Sequence, residues 1–363
     1  MSSEYLNIRN IHLFIWLFFM YLVSLYVLVQ RDEIVNDKLV ERYAPAFSVL
    51  AFLPVFLMAV FNRPYSDTIL YLSSYRALPG TLHEAWNEIA VSDRPGFLIF
   101  GVLIKTLFKS NEVPYRAAIG LVHSLPVVFV LRKYADDYLF SLFLFIASGM
   151  HVAWMMNGLR QFMAVTLIFA TTPWMLEKKY VRIILVILLA ASFHRTALIM
   201  IPIVFIAQGK TWNWKTIVFS IVLIGASFLF SRNASLFNDF ANVTGYSTEF
   251  AIQLGDDGTN PLRVIVNSIP AILALLSRDA LEEEDNKTIN ICVNMSVITA
   301  GIYLLSMVTS GVLTGRLPIY TSLYNLILLP HVIDSYFVDN NATVVKLLTI
   351  ALYFAYFAVQ WQL

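Results

Sequence analysis

The chain has 363 residues, of which 58% are hydrophobic and 13% are charged, and its formal net charge is +1 at pH 7. Soluble proteins carry about a quarter charged residues, so this composition excludes an ordinary water-facing surface and indicates that much of the chain faces lipid. The near-neutral charge argues against a nucleic-acid partner, which would require a concentrated excess of lysine and arginine. The single cysteine, Cys292, excludes an intramolecular disulfide.

Uninterrupted apolar runs recur along the chain, and the longest approach the roughly 20 residues that cross a bilayer as a helix. They predict an all-α, polytopic integral membrane protein of about 11–13 hydrophobic helices, forming one transmembrane domain over residues 1–363. The run 96–108 is too short to cross the bilayer and is predicted to be half-inserted. The runs begin at Ile11, Ala44, Gly96, Tyr115, Leu139, Gln161, Ile183, Thr196, Trp214, Leu262, Thr288, Leu317 and Lys346.

A break is predicted within the apolar stretch 183–206, because its centre contains His194 and Arg195 and Pro202 follows. Ionisable side chains at the middle of a continuous membrane helix are unfavourable. Two short arms that meet at His194 avoid this arrangement, and they place His194 at a membrane surface.

With this break the polar segments alternate between the two sides of the membrane. Lysines then fall mainly on the inner side, as the positive-inside tendency predicts, whereas arginines fall mainly on the outer side. Two outer loops are long: 62–95, predicted to contain a short interfacial helix, and 231–261. The inner segments are 31–42, 132–137, 177–182, 209–215, 278–287 and 335–343, and the other outer segments are 157–160, the His194 break and 310–316.

Arg160 lies between two apolar runs, in the segment Asn157-Gly158-Leu159-Arg160-Gln161. Such an arginine often only extends to the lipid headgroups. Here Gly158 permits a turn and Gln161 opens the next helix, so an anion could bind both the guanidinium and a helix N-terminus. Arg160 is therefore a candidate phosphate ligand.

Four further segments on the outer side carry candidate residues. His194 and Arg195 are adjacent in a membrane segment, which favours function, although a lone buried histidine is often a structural donor. Arg316 follows a glycine-rich turn and could equally extend to headgroups. Asp67, and Asp93 with Arg94, lie in a loop, where charges are often simply solvated.

The sequence motifs of several other kinds of active site are absent. The sequence contains no glycine-rich strand-turn-helix phosphate loop, no nucleophile elbow and no Cys/His spacing of a metal site. We therefore expect neither a metal nor another cofactor. No internal repeat is visible, which disfavours a transporter built from inverted repeats.

The order of the motifs resembles the EpsG family of polysaccharide polymerases, which are related in role to the Wzy O-antigen polymerases of bacterial inner membranes. The resemblance covers roughly residues 60–330. The family often has a glutamate before the proline of the second motif, whereas this chain has Arg94, preceded by Asp93. The motifs are Tyr65-Ser66-Asp67 with Tyr71, Arg94-Pro95-Gly96-Phe97, Asn157-Gly158-Leu159-Arg160-Gln161 with Ala164, Ala190 with Phe193-His194 and Ala197-Leu198, and Gly315-Arg316 leading to Leu329-Pro330.

The resemblance implies glycosyl transfer at the periplasmic face of the bacterial inner membrane. A growing glycan would leave undecaprenyl diphosphate and join the sugar end of a new lipid-linked repeat unit. The expected partners are this lipid-linked oligosaccharide and membrane lipids, and a chain-length regulator would be a further partner.

The hypothesis assigns each candidate residue a role in this transfer. Arg160 and Arg316 would bind the donor diphosphate, and Arg195 or Arg94 the diphosphate of the acceptor. His194 or Asp67 would take the proton from the attacking hydroxyl. The residues in support are Asn157, Gln161, Tyr71 and Asp93.

Three other classes of membrane protein compete with this interpretation. A flippase or other transporter of lipid-linked oligosaccharides would also need arginines, but along a path that opens to both sides. An O-antigen ligase uses the same donor with a lipid A core acceptor, and the sequence separates it poorly from a polymerase. A membrane acyltransferase would need an acyl donor site, to which nothing in the sequence points.

Overall fold

The computed structural model describes residues 30–35, 38–232, 258–337 and 340–361. The predicted helix at 11–29 and most of the predicted outer loop 231–261 lie outside the described residues. Within them the protein is 80% helical with almost no sheet, as predicted. Residues up to Met200 and from Val344 onward form one compact unit, unit 1, and residues from Ile201 to Thr343 form a second, unit 2.

Three helices of the described residues are long and apolar enough to cross a membrane, or five if each of two bent helix pairs counts as one span. Six shorter apolar helices accompany them, including 95–108, the run predicted to be half-inserted. These helices make the chain an all-α, polytopic membrane protein, which confirms the predicted fold class.

The described part of unit 1 starts with an antiparallel hairpin, β1 (Gln30–Val35) and β2 (Lys38–Tyr43), in a segment predicted only as an inner loop. Arg132 donates a hydrogen bond to Glu33, and this bond holds the pKa of the Glu33 carboxyl below its usual value. The helices that follow are α1 (Pro45–Phe61), α2 (Asp67–Ala77), α3 (Leu82–Val91), α4 (Pro95–Phe108), α5 (Glu112–Tyr134), α6 (Tyr138–Ala147), α7 (Met150–Met156), α8 (Leu159–Phe169), α9 (Thr172–Leu176) and α10 (Tyr180–Phe193).

The predicted break after α10 is confirmed. The helix ends at Phe193, and His194 has an extended backbone with φ −151° and ψ 114°. A 3-10 helix then spans Arg195–Ile199. Apolar helices thus lie before and after the break, as the cost of ionisable groups in mid-membrane predicts, and the location of His194 at the outer membrane surface stays a prediction.

The segment 62–95, predicted to be an outer loop, contains two short helices, α2 and α3, where the sequence predicted one. The start of α3 explains the second helix: the Thr81 side chain accepts a hydrogen bond from the Glu84 amide, and the Glu84 carboxylate accepts one from the Gly80 amide. This arrangement is a variant of the capping box, which a search for apolar runs does not detect. Trp86 on α3 is 65% exposed, and its location at a membrane interface stays a prediction.

A buried cluster in unit 1 packs the motif-bearing helices α2, α4 and α8 against one another and against α5. Tyr75 of α2 stacks on Tyr115 of α5, with ring centroids 4.0 Å apart. The Lys105 ammonium on α4 donates to the Arg76 and Leu78 carbonyls and so caps the end of α2. The buried members of the cluster are Leu72, Tyr75, Phe97, Tyr115, Ile119, Leu159 and Met163.

Segments that were predicted on the inner side also lie together in unit 1. Arg42 donates to the Lys133 carbonyl at 3.1 Å and pairs with Asp136 at 3.5 Å. Lys346 of the last helix pairs with Asp137 at 3.3 Å. These contacts join the hairpin, the α5–α6 connection and the C-terminal helix at one end of the unit.

In unit 2, Asn294 on the long helix α15 (Lys287–Met307) is fully buried and holds the segment that connects α11 (Met200–Ala207) to α12 (Trp214–Arg232). Its amide nitrogen donates to the carbonyls of Ala207 and Lys210, and its oxygen accepts from the Trp212 amide. The elements of this part of the chain are α11 (Met200–Ala207), α12 (Trp214–Arg232), α13 (Pro261–Leu276), α14 (Arg278–Glu284), α15 (Lys287–Met307), a 3-10 helix (Thr314–Arg316), α16 (Ile319–Ser322), α17 (Asn325–Tyr336) and α18 (Asn340–Trp361), which extends into unit 1.

Candidate functional site

The candidate site in unit 1 centres on the turn between α7 and α8. Helix α7 ends at Met156 and α8 begins at Leu159, so Asn157 and Gly158 form the connection. A Cβ atom at Gly158 would overlap the indole ring of Trp154. Only glycine fits this close approach, and the tight turn sets the direction in which α8 and Arg160 leave it.

The Arg160 guanidinium lies over two neighbouring aromatic rings from two other predicted motifs. Its Cζ is 5.1 Å from the centroid of the Tyr71 ring and 5.8 Å from that of Phe97. The two rings meet edge to face, with centroids 5.9 Å apart. Cation–π contacts of this kind contribute about 0.5–2 kcal/mol each, depending on desolvation. The structure thus joins three motifs that are distant in sequence.

One hydrogen bond from Arg160 reaches a described residue: Nε donates to the Tyr71 hydroxyl at 3.4 Å. No carboxylate in the described part of the chain pairs with Arg160, and its terminal nitrogens Nη1 and Nη2 carry no hydrogen bond there. The side chain is half-buried. The guanidinium fork is therefore held in place while its anion-binding end remains available.

The fourth motif reaches the same region through a close contact between α4 and α10. A Cβ atom at Gly96 would overlap the Ser192 side chain, so the two helices approach backbone to side chain at this point. Phe100 and Phe193 reinforce the contact edge to face, at 6.4 Å between centroids. His194 lies two residues beyond Ser192 in the chain.

The ring of His194 is oriented by its neighbour in the break. The His194 Nδ1 and the Thr196 hydroxyl are 2.7 Å apart. His194 is half-buried, whereas Arg195 is exposed and pairs with no carboxylate of the described residues. A hydrogen bond that fixes one ring nitrogen also fixes the direction of the other, as a general base requires.

Asp67 is the first residue of α2, one helical turn before Tyr71. The preceding residue, Ser66, has a φ of 48°, a conformation that is uncommon for residues other than glycine. The Thr68 hydroxyl donates a hydrogen bond to the Met156 carbonyl. This bond fixes the start of α2 to the end of α7, next to the Asn157–Arg160 turn.

The remaining predicted residues of unit 1 lie around this turn or at the start of α4. The Asn157 Oδ1 is buried and has no hydrogen-bond partner among the described residues. Gln161 is 3% exposed, within the first turn of α8. Arg94 and Asp93 are exposed and pair with each other at 3.5 Å, directly before α4.

Arg316 belongs to unit 2, where it ends the 3-10 helix Thr314–Arg316 and is exposed. A Cβ atom at Gly315 would overlap the Thr259 hydroxyl. Thr259 is in turn held by Ser306, whose hydroxyl donates to it at 2.7 Å. The glycine-rich turn before Arg316 is thus packed against the end of α15.

Two contact residues of the site were missed from the sequence: Thr68 and His123. His123 on α5 is fully buried, and its Nε2 is 3.0 Å from the Leu159 carbonyl. Thr68 is a small polar residue in a helix, which a search for charges does not detect. A histidine within the apolar run that begins at Tyr115 was a signal that could have been used.

Gly158→Ala is expected to destabilise the protein by about 1–3 kcal/mol, because the added methyl overlaps the rigid indole of Trp154. The measurement is the Tm of the purified protein in detergent. The matched control is Gly225→Ala on α12, where an added Cβ meets no atom within 4 Å. The control should melt at the wild-type temperature or above it, and equal melting of the two variants would show that the turn is not tightly packed.

These features define a class: a polytopic membrane protein in which an arginine contacts two aromatic rings and has no carboxylate partner among the described residues. The helix that carries this arginine, α8, packs against the 3-10 helix that follows a break in an apolar helix. A family model described as the EpsG family matches residues 46–362. The chain belongs to the EpsG family, a family of Wzy-like polymerases. No curated protein and no solved structure matches the chain.

Proposed function

We propose that this protein is a polysaccharide polymerase of the outer face of the bacterial inner membrane. It would transfer a growing glycan from undecaprenyl diphosphate to the sugar end of a new repeat unit, itself linked to undecaprenyl diphosphate. The family supports a role in making polysaccharide. The observation that carries the proposal is the Arg160 guanidinium, half-buried and without a carboxylate partner among the described residues.

Arg160 is suited to the leaving group of this reaction. When the bond between the anomeric carbon and the diphosphate oxygen breaks, negative charge develops on the diphosphate. A fixed guanidinium fork stabilises that charge through two parallel hydrogen bonds. The Tyr71 hydroxyl accepts a hydrogen bond from Nε of Arg160, and the rings of Tyr71 and Phe97 make cation–π contacts with the guanidinium. The orientation of the guanidinium is therefore set before the substrate binds.

The attacking hydroxyl of the acceptor sugar forms the new bond to the anomeric carbon and must release its proton. We assign the base to His194, because the bond between its Nδ1 and Thr196 orients the ring. Asp67 is the alternative, because it lies one turn from Tyr71 on α2. The proton moves to the base, and the electron pair of the broken bond leaves with undecaprenyl diphosphate.

The other arginines complete the proposed arrangement. Arg316, in unit 2, keeps its predicted role as a ligand of the donor diphosphate, and Arg195 or Arg94 would bind the diphosphate of the acceptor. Among the described residues, Arg195 and Arg160 pair with no carboxylate, whereas the Nε of Arg94 already pairs with Asp93 at 3.5 Å. Arg195 is therefore the better placed of the two candidates for the acceptor.

Reconstitution of the purified chain in proteoliposomes with a synthetic lipid-linked repeat unit tests this function. A polymerase lengthens the lipid-linked glycan when that repeat unit is the only sugar substrate. A flippase would move the unit across the bilayer without lengthening it. A ligase would transfer glycan only when a lipid A core acceptor is added, so either of these results would contradict the proposal.

A further inference from the structure

His123 makes a hydrogen bond to the backbone next to Arg160. It is fully buried on α5, and its Nε2 is 3.0 Å from the carbonyl oxygen of Leu159. A carbonyl oxygen only accepts hydrogen bonds, so Nε2 carries the hydrogen and donates it. That carbonyl belongs to the peptide bond between Leu159 and Arg160, in the first turn of α8.

The second nitrogen of the ring is a disadvantage for stability. The His123 Nδ1 is buried and has no hydrogen-bond partner among the described residues. A buried polar atom without a partner is destabilising, and an apolar ring of similar shape would avoid that penalty. The edge-to-face packing of the ring on Phe162, at 5.1 Å between centroids, would also be available to phenylalanine. The feature that phenylalanine could not supply is the hydrogen bond to Leu159.

Packing of α5 against α8 does not depend on that bond alone. The Thr166 hydroxyl on α8 donates to the Val122 carbonyl on α5 at 2.9 Å. Thr166 is six residues after Arg160 in the sequence, which is about 9 Å farther along the helix. The same pair of helices thus has a second polar contact, which involves Val122, the residue before His123, and does not involve the Leu159 carbonyl.

We infer that His123 is a positioning residue that holds the first turn of α8, and with it the Arg160 guanidinium, in the orientation that binds a diphosphate. The inference rests on the proposed function, because it supposes that Arg160 binds diphosphate. His123 itself does not touch the substrate in this account.

The test is a titration of undecaprenyl diphosphate, without sugar, into the purified full chain in nanodiscs. His123→Phe keeps the ring but removes the donor, and it should weaken binding about three- to tenfold, as loss of one neutral hydrogen bond would. His123→Gln should restore binding close to wild type, since its amide nitrogen can occupy the position of Nε2. The shorter His123→Asn should remain weak, and this pair carries the test if His123→Phe does not fold.

Thr166→Val is the matched control, because it removes a polar contact between the same helices and leaves the bond to the Leu159 carbonyl in place. Thr166→Val should bind undecaprenyl diphosphate as the wild type does. When Arg160→Gln is already present, adding His123→Phe should cause no further weakening. Wild-type binding by His123→Phe, or equal weakening by Thr166→Val, would overturn the inference. If Arg160→Gln weakens binding and His123→Phe does not, only the positioning role of His123 is wrong. If the wild type does not bind undecaprenyl diphosphate, both the positioning role of His123 and the diphosphate role of Arg160 are wrong.

Discussion

Arg160→Lys is expected to lower glycan elongation by about 100-fold or more, although it preserves the positive charge. The lysine ammonium is a point charge and cannot form the two parallel hydrogen bonds of a guanidinium. The loss of a preorganised donor to a developing negative charge typically lowers the rate by about 100- to 1,000-fold. In cells that make the polymer, the ladder of long glycan chains on a gel should disappear, and Arg316→Lys should behave similarly.

The control is Arg182→Lys on α10. Arg182 also lies over an aromatic ring, 5.8 Å from Trp174, but it is outside the motifs. Its substitution should leave the ladder unchanged. Long chains that persist in Arg160→Lys at normal protein level would contradict the bidentate role, and loss of the ladder in both variants would indicate a general effect on stability.

His194→Gln is expected to lower kcat of elongation by about 100- to 10,000-fold, the range attributed to general acid–base catalysis. Affinity for undecaprenyl diphosphate should remain near the wild-type value, because the proposed role of His194 is to accept the proton of the acceptor hydroxyl. Arg160→Lys should instead change both quantities, since its partner is the diphosphate itself. Thr196→Val, which removes the hydrogen bond at Nδ1, should give a smaller loss of about tenfold in the same direction.

His83→Gln provides the comparison, since His83 is an exposed histidine on α3. It should elongate glycan at the wild-type rate. Asp67→Asn is measured in parallel, because Asp67 is the alternative base. If Asp67→Asn loses the activity while His194→Gln keeps it, the base is Asp67 and the assignment to His194 is wrong.

Much of the fold could be predicted because lipid imposes a simple rule on sequence. Backbone polar groups in hydrocarbon must pair within a helix, so apolar runs give the helices directly. The same rule makes an ionisable pair in mid-helix unfavourable, and it correctly located the break at His194. The motifs identified the residues of unit 1 that the structure brings together around Arg160, namely Tyr71 and Phe97.

The remaining features of the fold and the site depend on contacts that the spacing of apolar residues does not predict. The hairpin from Gln30 to Tyr43 and the division of segment 62–95 into two helices arise from local hydrogen bonds in polar sequence. The side chains that fix the site to its surroundings are small or uncharged. Thr68 donates a hydrogen bond to the Met156 carbonyl, and His123 donates one to the Leu159 carbonyl. Each joins residues that are far apart in sequence, so only the folded chain shows which carbonyl each donor meets.

The central claim, that the arginines serve a diphosphate leaving group, is tested most directly by counting products in the reconstituted reaction. Each new glycosidic bond must release one undecaprenyl diphosphate from the donor. We predict that glycan lengthening and release of undecaprenyl diphosphate rise together in a one-to-one ratio, and that Arg160→Lys lowers both equally. Lengthening without release of undecaprenyl diphosphate, or lengthening that is unaffected by Arg160→Lys, would contradict the account.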